Sequence, residues 1–349
     1  MQKWPVPTPK KIIVRMPNWL GDAVMATPVL ADLKAHFKES EITVMCQSSV
    51  VPLMENNPFV DAIVSYRRPN GWIHRAHHFE IIEPLRRGKY DLGLLLTNSF
   101  SSAWLFWYGN VKNRIGYTGN FRTWLLNRAV AWPKELENQH LVVTYKHILE
   151  PLGIPISKTP TQLYVSEQEL SEAKELLLRY DIDVEKDVVI GVNPAAAFGL
   201  AKCWLPERFS EVTRRLIQDP KVKVIYFGDQ NSAPLVDSIC REMPESVLDL
   251  AGKTTLRELM ALVKCCNVFL TNDSGPMHIA AALGTPVVAL FGSTSDVKTG
   301  PLGKSVVVIH KHVECSPCYK RTCPIDFRCM KQIEVDEVYK EVFRLIEDI

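Results

Sequence analysis

The sequence has little excess charge of either sign: 41 Lys and Arg stand against 39 Asp and Glu, a net charge of +2. That balance excludes a broad basic face of the kind that lives on nucleic-acid phosphates, so no nucleic acid is expected as a partner. Long apolar runs are missing too. The uncharged stretch Leu92 to Val111 has the length of a membrane span, but Thr97, Asn98, Ser99, Ser101, Ser102, Gly109 and Asn110 interrupt it. It reads instead as a buried strand followed by an amphipathic helix. The opening MQKWPVPTPKK carries no apolar segment ahead of the first strand-like run, so no export signal is expected. The 17 Gly and 23 Pro are scattered without period, which excludes a collagen-like or low-complexity chain. Neither G-x-G-x-x-G nor G-x-x-x-x-G-K-[ST] occurs, so neither a standard dinucleotide fold nor a P-loop is supported.

What is present is a globular composition, 46% apolar and 23% charged. At 349 residues the chain exceeds the roughly 250–300 at which one core stops growing, so two domains are expected. Residues 1–170 carry 19 Lys and Arg against 14 Asp and Glu, and the remainder 22 against 25, so the first half is the better candidate for meeting an acidic partner. Nine cysteines, an odd number with no export signal, argue for reduced thiols in the cytoplasm.

Short β-branched runs alternate with helical patterns throughout. Lys11–Met16, Ile42–Cys46, Ala62–Tyr66 and Asp91–Thr97 read as strands, and Ala23–Phe37, Phe79–Arg87 and Leu141–Leu149 as helices. The Pro-rich stretch Ile154–Thr161 resembles a linker. Beyond it, strands Val188–Asn193, Val222–Phe227, Val247–Leu250, Val268–Thr271 and Val287–Phe291 alternate with helices at Glu167–Tyr180, Pro206–Ile217, Pro234–Arg241, Leu256–Lys264 and Pro276–Leu283. The expected fold is α/β: two Rossmann-like, doubly wound parallel sheets with a cleft between their strand C-termini. Domains are expected at 1–158 and 159–332, and the helix Val335–Ile346 within 333–349 is expected to pack back on the first domain.

Three strand-to-helix turns carry candidate chemistry. In Thr271-Asn272-Asp273-Ser274-Gly275-Pro276-Met277-His278 a strand turns at once into a helix, leaving backbone N–H groups suited to a diphosphate. The alternative is that Asp273 and Ser274 merely cap the helix. In the turn 193–204, small residues and Lys202 suit a phosphate, whereas the commoner fate of a lysine is a solvated loop. After the first strand, Met16-Pro17-Asn18-Trp19-Leu20-Gly21-Asp22 places Asp22 where a carboxylate can take a proton from an attacking hydroxyl, or simply serve as N-cap.

Taken together, MPNWLGDAVMATP (16–28), TNSFSSAW (97–104), RIGY (114–117), WLLN (124–127), PAAAFGLAKCW (194–204), LAGKTTL (250–256) and NDSGPMHIAAALGTPVVALFG (272–292) resemble the ADP-heptose:lipopolysaccharide heptosyltransferases of glycosyltransferase family 9, most closely the heptosyltransferase II type. The resemblance implies an inverting glycosyltransferase of GT-B architecture that uses no metal and no cofactor, with ADP-heptose in the C-terminal domain and a lipid-A-linked inner-core oligosaccharide in the N-terminal one. By position Asp22 matches the general base, and Lys202, Asp273, Ser274, Gly275 and His278 match the donor loops. Thr254 falls where the family lines the adenosine pocket, and Asp229 near a ribose-binding position. Ala196 and Ala197 replace hydroxyl or glycine positions and can contribute only backbone N–H groups. Asn18, Trp19, Asn98 and Ser99 are the acceptor-binding candidates. First heptosyl transfer onto Kdo, transfer from another nucleotide sugar, and a catalytically silent nucleotide-sugar-binding envelope protein stay open as alternatives; the joint presence of Asp22, Lys202 and Asp273 weighs against the last.

Two further features stand apart. Arg67, Arg68, His74, Arg75, His77, His78, Arg86, Arg87 and Lys89, near Trp72 and ahead of Trp104, Phe106 and Trp107, form a basic stretch suited to the cytoplasmic surface of the inner membrane, or else a solvated loop with a buried aromatic helix face. Cys315, Cys318, Cys323 and Cys329, spaced C-x2-C-x4-C-x5-C, suit a structural zinc only in part, because the second pair is too widely spaced for a ribbon site.

Overall fold

The computed structural model describes residues 8–67, 74–241, 243–244 and 246–348, with residues 74–79 described by their backbone alone. The chain divides into two units, Met1–Leu163 and Tyr164–Ile349.

The first unit runs β1 (Lys11–Arg15), α1 (Leu20–Met25), α2 (Thr27–His36), β2 (Glu41–Gln47), α3 (Val51–Met54), β3 (Ala62–Tyr66), α4 (His74–Gly88), β4 (Leu92–Leu95), α5 (Phe100–Tyr108), β5 (Asn113–Tyr117), β6 (Arg128–Val130) and α6 (Leu141–His147). Its strands are parallel in the order β3-β2-β1-β4-β5-β6. Both faces of such a sheet are covered, which is why β1 and β4 are nearly uninterrupted apolar runs. Ile13, Leu85, Leu95, Phe106 and Leu125 sit in the core. The single helix expected over 23–37 is broken at Ala26. Pro28 has no N–H to continue the ladder, and Thr27 Oγ1 donates to the Val24 carbonyl in its stead, at 2.8 Å.

The second unit runs α7 (Glu167–Leu178), β7 (Val188–Asn193), α8 (Pro206–Leu216), β8 (Val222–Tyr226), α9 (Ala233–Cys240), β9 (Val247–Asp249), α10 (Leu256–Lys264), β10 (Val268–Asn272), α11 (Gly275–Leu283), β11 (Val287–Phe291), α12 (Asp296–Thr299), β12 (Val306–His310), α13 (Arg328–Lys331) and α14 (Val335–Glu347). The parallel order β12-β11-β10-β7-β8-β9 is the same winding as in the first unit. In each sheet the order reverses between two central strands, β1/β4 and β7/β10, and a ligand crevice lies outside the strand C-termini at such a point.

Two boundaries differ from the sequence reading. The Pro-rich stretch 154–161 is held by the first unit: Lys146 Nζ donates to the Ser157 and Thr159 carbonyls at 2.9 and 2.7 Å, both hydroxyls donate to Asp32, and the Gln162 N–H donates to Thr27 Oγ1. Helix α14 lies on the second unit, not the first. It buries Val338, Val342 and Leu345 in the core that contains Trp204 and Phe209, and Asp336 pairs with Arg215 of α8.

Candidate functional site

In the second unit, the turns leaving β7 and β10 are stitched together by the asparagines that end the two strands. Asn193 Nδ2 donates to the Ala195 carbonyl (2.9 Å) and to Ser274 Oγ (3.1 Å). Asn272 Nδ2 donates to the Pro194 carbonyl (2.7 Å), and its Oδ1 accepts from the Trp204 N–H (2.9 Å). The two Asn272 bonds are buried, where an unmade partner costs about 1–3 kcal/mol, and the two Asn193 bonds are part-buried.

Lys202 and Asp273, candidates from separate turns, meet at 2.6 Å with side chains 14% and 4% exposed. Asp273 also accepts from Thr294 Oγ1, at the end of β11. Sequence reading missed Thr294, which has no pattern linking it to a residue 21 positions earlier. The Lys202 ammonium lies 5.0 Å from the Phe198 ring centre, and Arg321 covers the same ring at 5.7 Å. Gly199, φ +149°, lets this turn pass the Arg321 carbonyl, which would lie 2.4 Å from a Cβ.

The capping alternative does not hold here. Ser274 is the N-cap of α11, yet its side chain makes no capping bond; its Oγ faces Asn193 and Thr271. The first N–H groups of α11 thus remain without a side-chain cap, next to a cation, and Gly275 keeps the approach open. His278 is buried in the first turns. Ala196 is half-buried and Ala197 exposed on the β7 turn, and Thr254 is half-buried just before the Thr255 N-cap of α10. Asp229 is exposed and organises its own turn: Oδ1 accepts from the Ser232 N–H and Oγ at 2.9 and 2.6 Å. Partial burial works to raise its carboxyl pKa, and the bonds from Ser232 and Asn231 outweigh that and hold it below the usual range.

In the first unit, Trp19 is the N-cap of α1 and Asp22 lies in the first turn, so Asp22 is not the N-cap. Its Oδ1 accepts from the Tyr145 hydroxyl of α6 at 3.2 Å, a partner 123 residues away. Burial, and then the Asp22 charge, push the Tyr145 phenol well above its ordinary pKa, so it stays a donor. Two arginines organise the flanking loops. Arg15 donates to Asn18 Oδ1 at 2.9 Å and to the Tyr66 hydroxyl, and Arg122 donates to Asn98 Oδ1 at 3.0 Å and to the Tyr117 carbonyl at 2.9 Å. Burial lowers both guanidinium pKa values to about 10, which still leaves both charged near neutrality. Asn18, Trp19, Asn98 and Ser99 are exposed together around this switch point, and Ser99 also caps α5 by accepting from the Ser102 N–H. Neither arginine was singled out from the sequence.

The four clustered cysteines, Cys315, Cys318, Cys323 and Cys329, line one pocket of the second unit. Among the described residues, the group whose ligand atoms all come within 4.8 Å of one another is a different one, Asp296, His310 and His312. Of the basic stretch, Arg68 and Trp72 and the side chains of His74, Arg75, His77 and His78 lie outside the described residues; Arg67, Arg86, Arg87 and Lys89 are exposed. Phe106 is fully buried in the core, whereas Trp107 is exposed.

The profile of glycosyltransferase family 9 (heptosyltransferase) matches residues 78–327. Lipopolysaccharide heptosyltransferase 2 of Escherichia coli is 31% identical over 86% of this chain and 87% of its own, and that of Salmonella typhimurium 30% identical over the same shares. The solved structure of E. coli ADP-heptose lipopolysaccharide heptosyltransferase II superposes with a TM-score of 0.82 at 28% identity, covering 97% of this chain and 99% of that one. A family profile that covers most of the chain, with relatives 30–31% identical over 86% of it and the same two-sheet fold, means that the protein belongs to glycosyltransferase family 9 and is a glycosyltransferase.

Proposed function

We propose that the protein transfers heptose from ADP-heptose to an inner-core heptose of a lipid-A-linked acceptor, with inversion at the anomeric carbon. The acceptor hydroxyl attacks that carbon, its proton passes to Asp22, and the bond to the ADP oxygen breaks. Negative charge then grows on the leaving diphosphate, where Lys202 and the opening of α11 stabilise it. Asp273 and Thr294 hold Lys202 in place, the backbone around Ala196 and Ala197 and the side chains of Ser274 and His278 line the donor, and Thr254 and Asp229 take the nucleoside. Asn18, Trp19, Asn98 and Ser99 bind the acceptor.

The observation that carries this reading is the 2.6 Å Lys202–Asp273 pair beside a helix start that its own N-cap side chain does not cap, since a held cation next to the amide end of a helix is a site for an anion. The names of the relatives, lipopolysaccharide heptosyltransferase 2, support heptose as the sugar. A mass-spectrometric transfer assay with ADP-heptose and Kdo-lipid A acceptors bearing no heptose or one heptose tests it. Product from the mono-heptosylated acceptor alone is expected. Product only from the unheptosylated acceptor would make this the first heptosyl transfer, and no product from either would overturn this reading in favour of another nucleotide sugar or acceptor.

We also infer that the enzyme works in the cytoplasm at the inner-membrane surface. Phe100, Trp107 and Trp124 form an exposed aromatic group with ring centres 6.3 Å apart; Trp124 is 68% and nearby Phe121 94% exposed. On α4, Arg86 stacks on Tyr108 of the aromatic helix, with Arg87 and Lys89 exposed beside it. Aromatic rings with basic neighbours suit an anionic bilayer interface.

A further inference from the structure

At the edge of the second sheet, the end of β12 and the start of α12 bring three ligand-type side chains together. His310 Nδ1 lies 3.0 Å from one oxygen of Asp296, and His312 Nε2 lies 3.6 Å from the other. The two imidazole ring centres are 4.0 Å apart, and the His310 side chain is almost fully buried.

This contact is one proton or cation short. Ser316 Oγ has a single hydrogen, and it is used on the Gly292 carbonyl at 2.5 Å. The 2.8 Å contact between Ser316 Oγ and His310 Nε2 must therefore use the hydrogen of the imidazole. In a neutral imidazole that leaves Nδ1 as a bare lone pair against a carboxylate oxygen 3.0 Å away, with nothing positive between them.

We propose that a divalent cation of the zinc class fills this position, bound by Asp296, His310 and His312. Two ligands each about 2.0–2.1 Å from a tetrahedral zinc lie roughly 3.3–3.4 Å apart; His310 Nδ1 stands 3.0 Å from Asp296 Oδ1, and one ligand atom from each of the three residues lies within 4.8 Å of the other two, close enough for one ion to draw them together. Two imidazoles and a carboxylate are a donor set zinc accepts, and Ser316 is the outer partner that fixes the tautomer of a ligating histidine. The cation joins the end of β12 to the segment between β11 and α12. That same segment carries Thr294, the partner of Asp273, so the site braces the donor loop without touching the donor. It is distinct from the cysteine-lined pocket, none of whose four thiols is needed.

The test uses full-length protein stripped with chelator and titrated with Co2+ by calorimetry and absorption spectroscopy. His312→Ala is the first variant, because this side chain is 65% exposed and its loss leaves the core intact. Subtracting the His312→Ala titration from the wild-type one is expected to leave one equivalent of Co2+ with visible d–d absorption and no near-ultraviolet thiolate charge-transfer band. Ser316→Ala is expected to weaken the same equivalent by about 10–100-fold. Identical isotherms for wild type and His312→Ala, or a difference spectrum made of thiolate bands, overturn the proposal. So does wild-type protein that binds no Co2+ while NMR finds both His310 nitrogens protonated, since a proton then fills the gap.

Discussion

The proposed base accepts a hydrogen bond from a residue the chain reaches only 123 positions later, and two substitutions separate their roles. Asp22→Asn removes the proton acceptor and is expected to reduce turnover on the order of 10²–10⁴-fold while calorimetry finds ADP-heptose binding intact. Near-normal single-turnover transfer would reject that role. Tyr145→Phe keeps the carboxylate but removes a bond that favours its ionised form. The acid limb of the kcat/KM profile is then expected to move to higher pH. A profile that stays in place would show that Tyr145 does not tune the base. Asp22, Lys202 and Asp273 could be singled out as candidates because each lies on a strand-to-helix turn whose local sequence exposes it. Tyr145, Thr294, Arg15 and Arg122 were not, since each acts through a contact made only when distant strands are brought together, and a buried arginine bonded to carbonyls and amides reads in sequence like any surface arginine.

Elements transmit these positions through tight turns and helix pairs. Gly199→Ala places a Cβ 2.4 Å from the Arg321 carbonyl at a φ of +149°, so the turn must move and carry Lys202 with it. A loss of about 1–3 kcal/mol of stability, read by thermal denaturation, is expected together with weaker ADP-heptose binding. Helices α7 and α10 are joined by a two-pronged bond in which Arg257 Nε and Nη2 donate to the two Glu169 oxygens, each at 2.6 Å. The Arg257 bonds hold the Glu169 carboxyl at about 2, below its ordinary value of 4.5. A depressed carboxyl adds stability that is complete above the unfolded value and is lost as pH falls from about 4.5 towards 2. Glu169→Gln is therefore expected to lower stability at neutral pH and to flatten the acid side of the denaturation curve in that window, and an unchanged curve would contradict the assignment. Most strands were legible as buried apolar runs flanked by turns. Strands β5, β6 and β12 were not singled out: β6 has three residues, β5 opens on Asn113 and Arg114, and β12 is a partly buried edge strand leading into the cysteine-rich segment.

At the scale of the molecule, the same winding occurs twice although no internal repeat shows in the sequence, because strand order needs only the alternation of apolar runs and helices. The aromatic group on the first unit makes a prediction at this scale. Trp124→Ala together with Phe121→Ala is expected to lower co-sedimentation with phosphatidylglycerol vesicles several-fold while transfer to a water-soluble acceptor persists, because both side chains are largely exposed. Unchanged co-sedimentation would remove the surface from the membrane-facing role. The last helix of the first unit, α6, supplies Tyr145 to a carboxylate that follows the first strand, and the segment behind it is tied down as far as Gln162. Chimaeras that graft the first unit of one family member onto the second unit of another must therefore place the crossover after residue 163. A splice ahead of Leu141 would deliver Asp22, the proposed base, without the Tyr145 hydroxyl that donates to it.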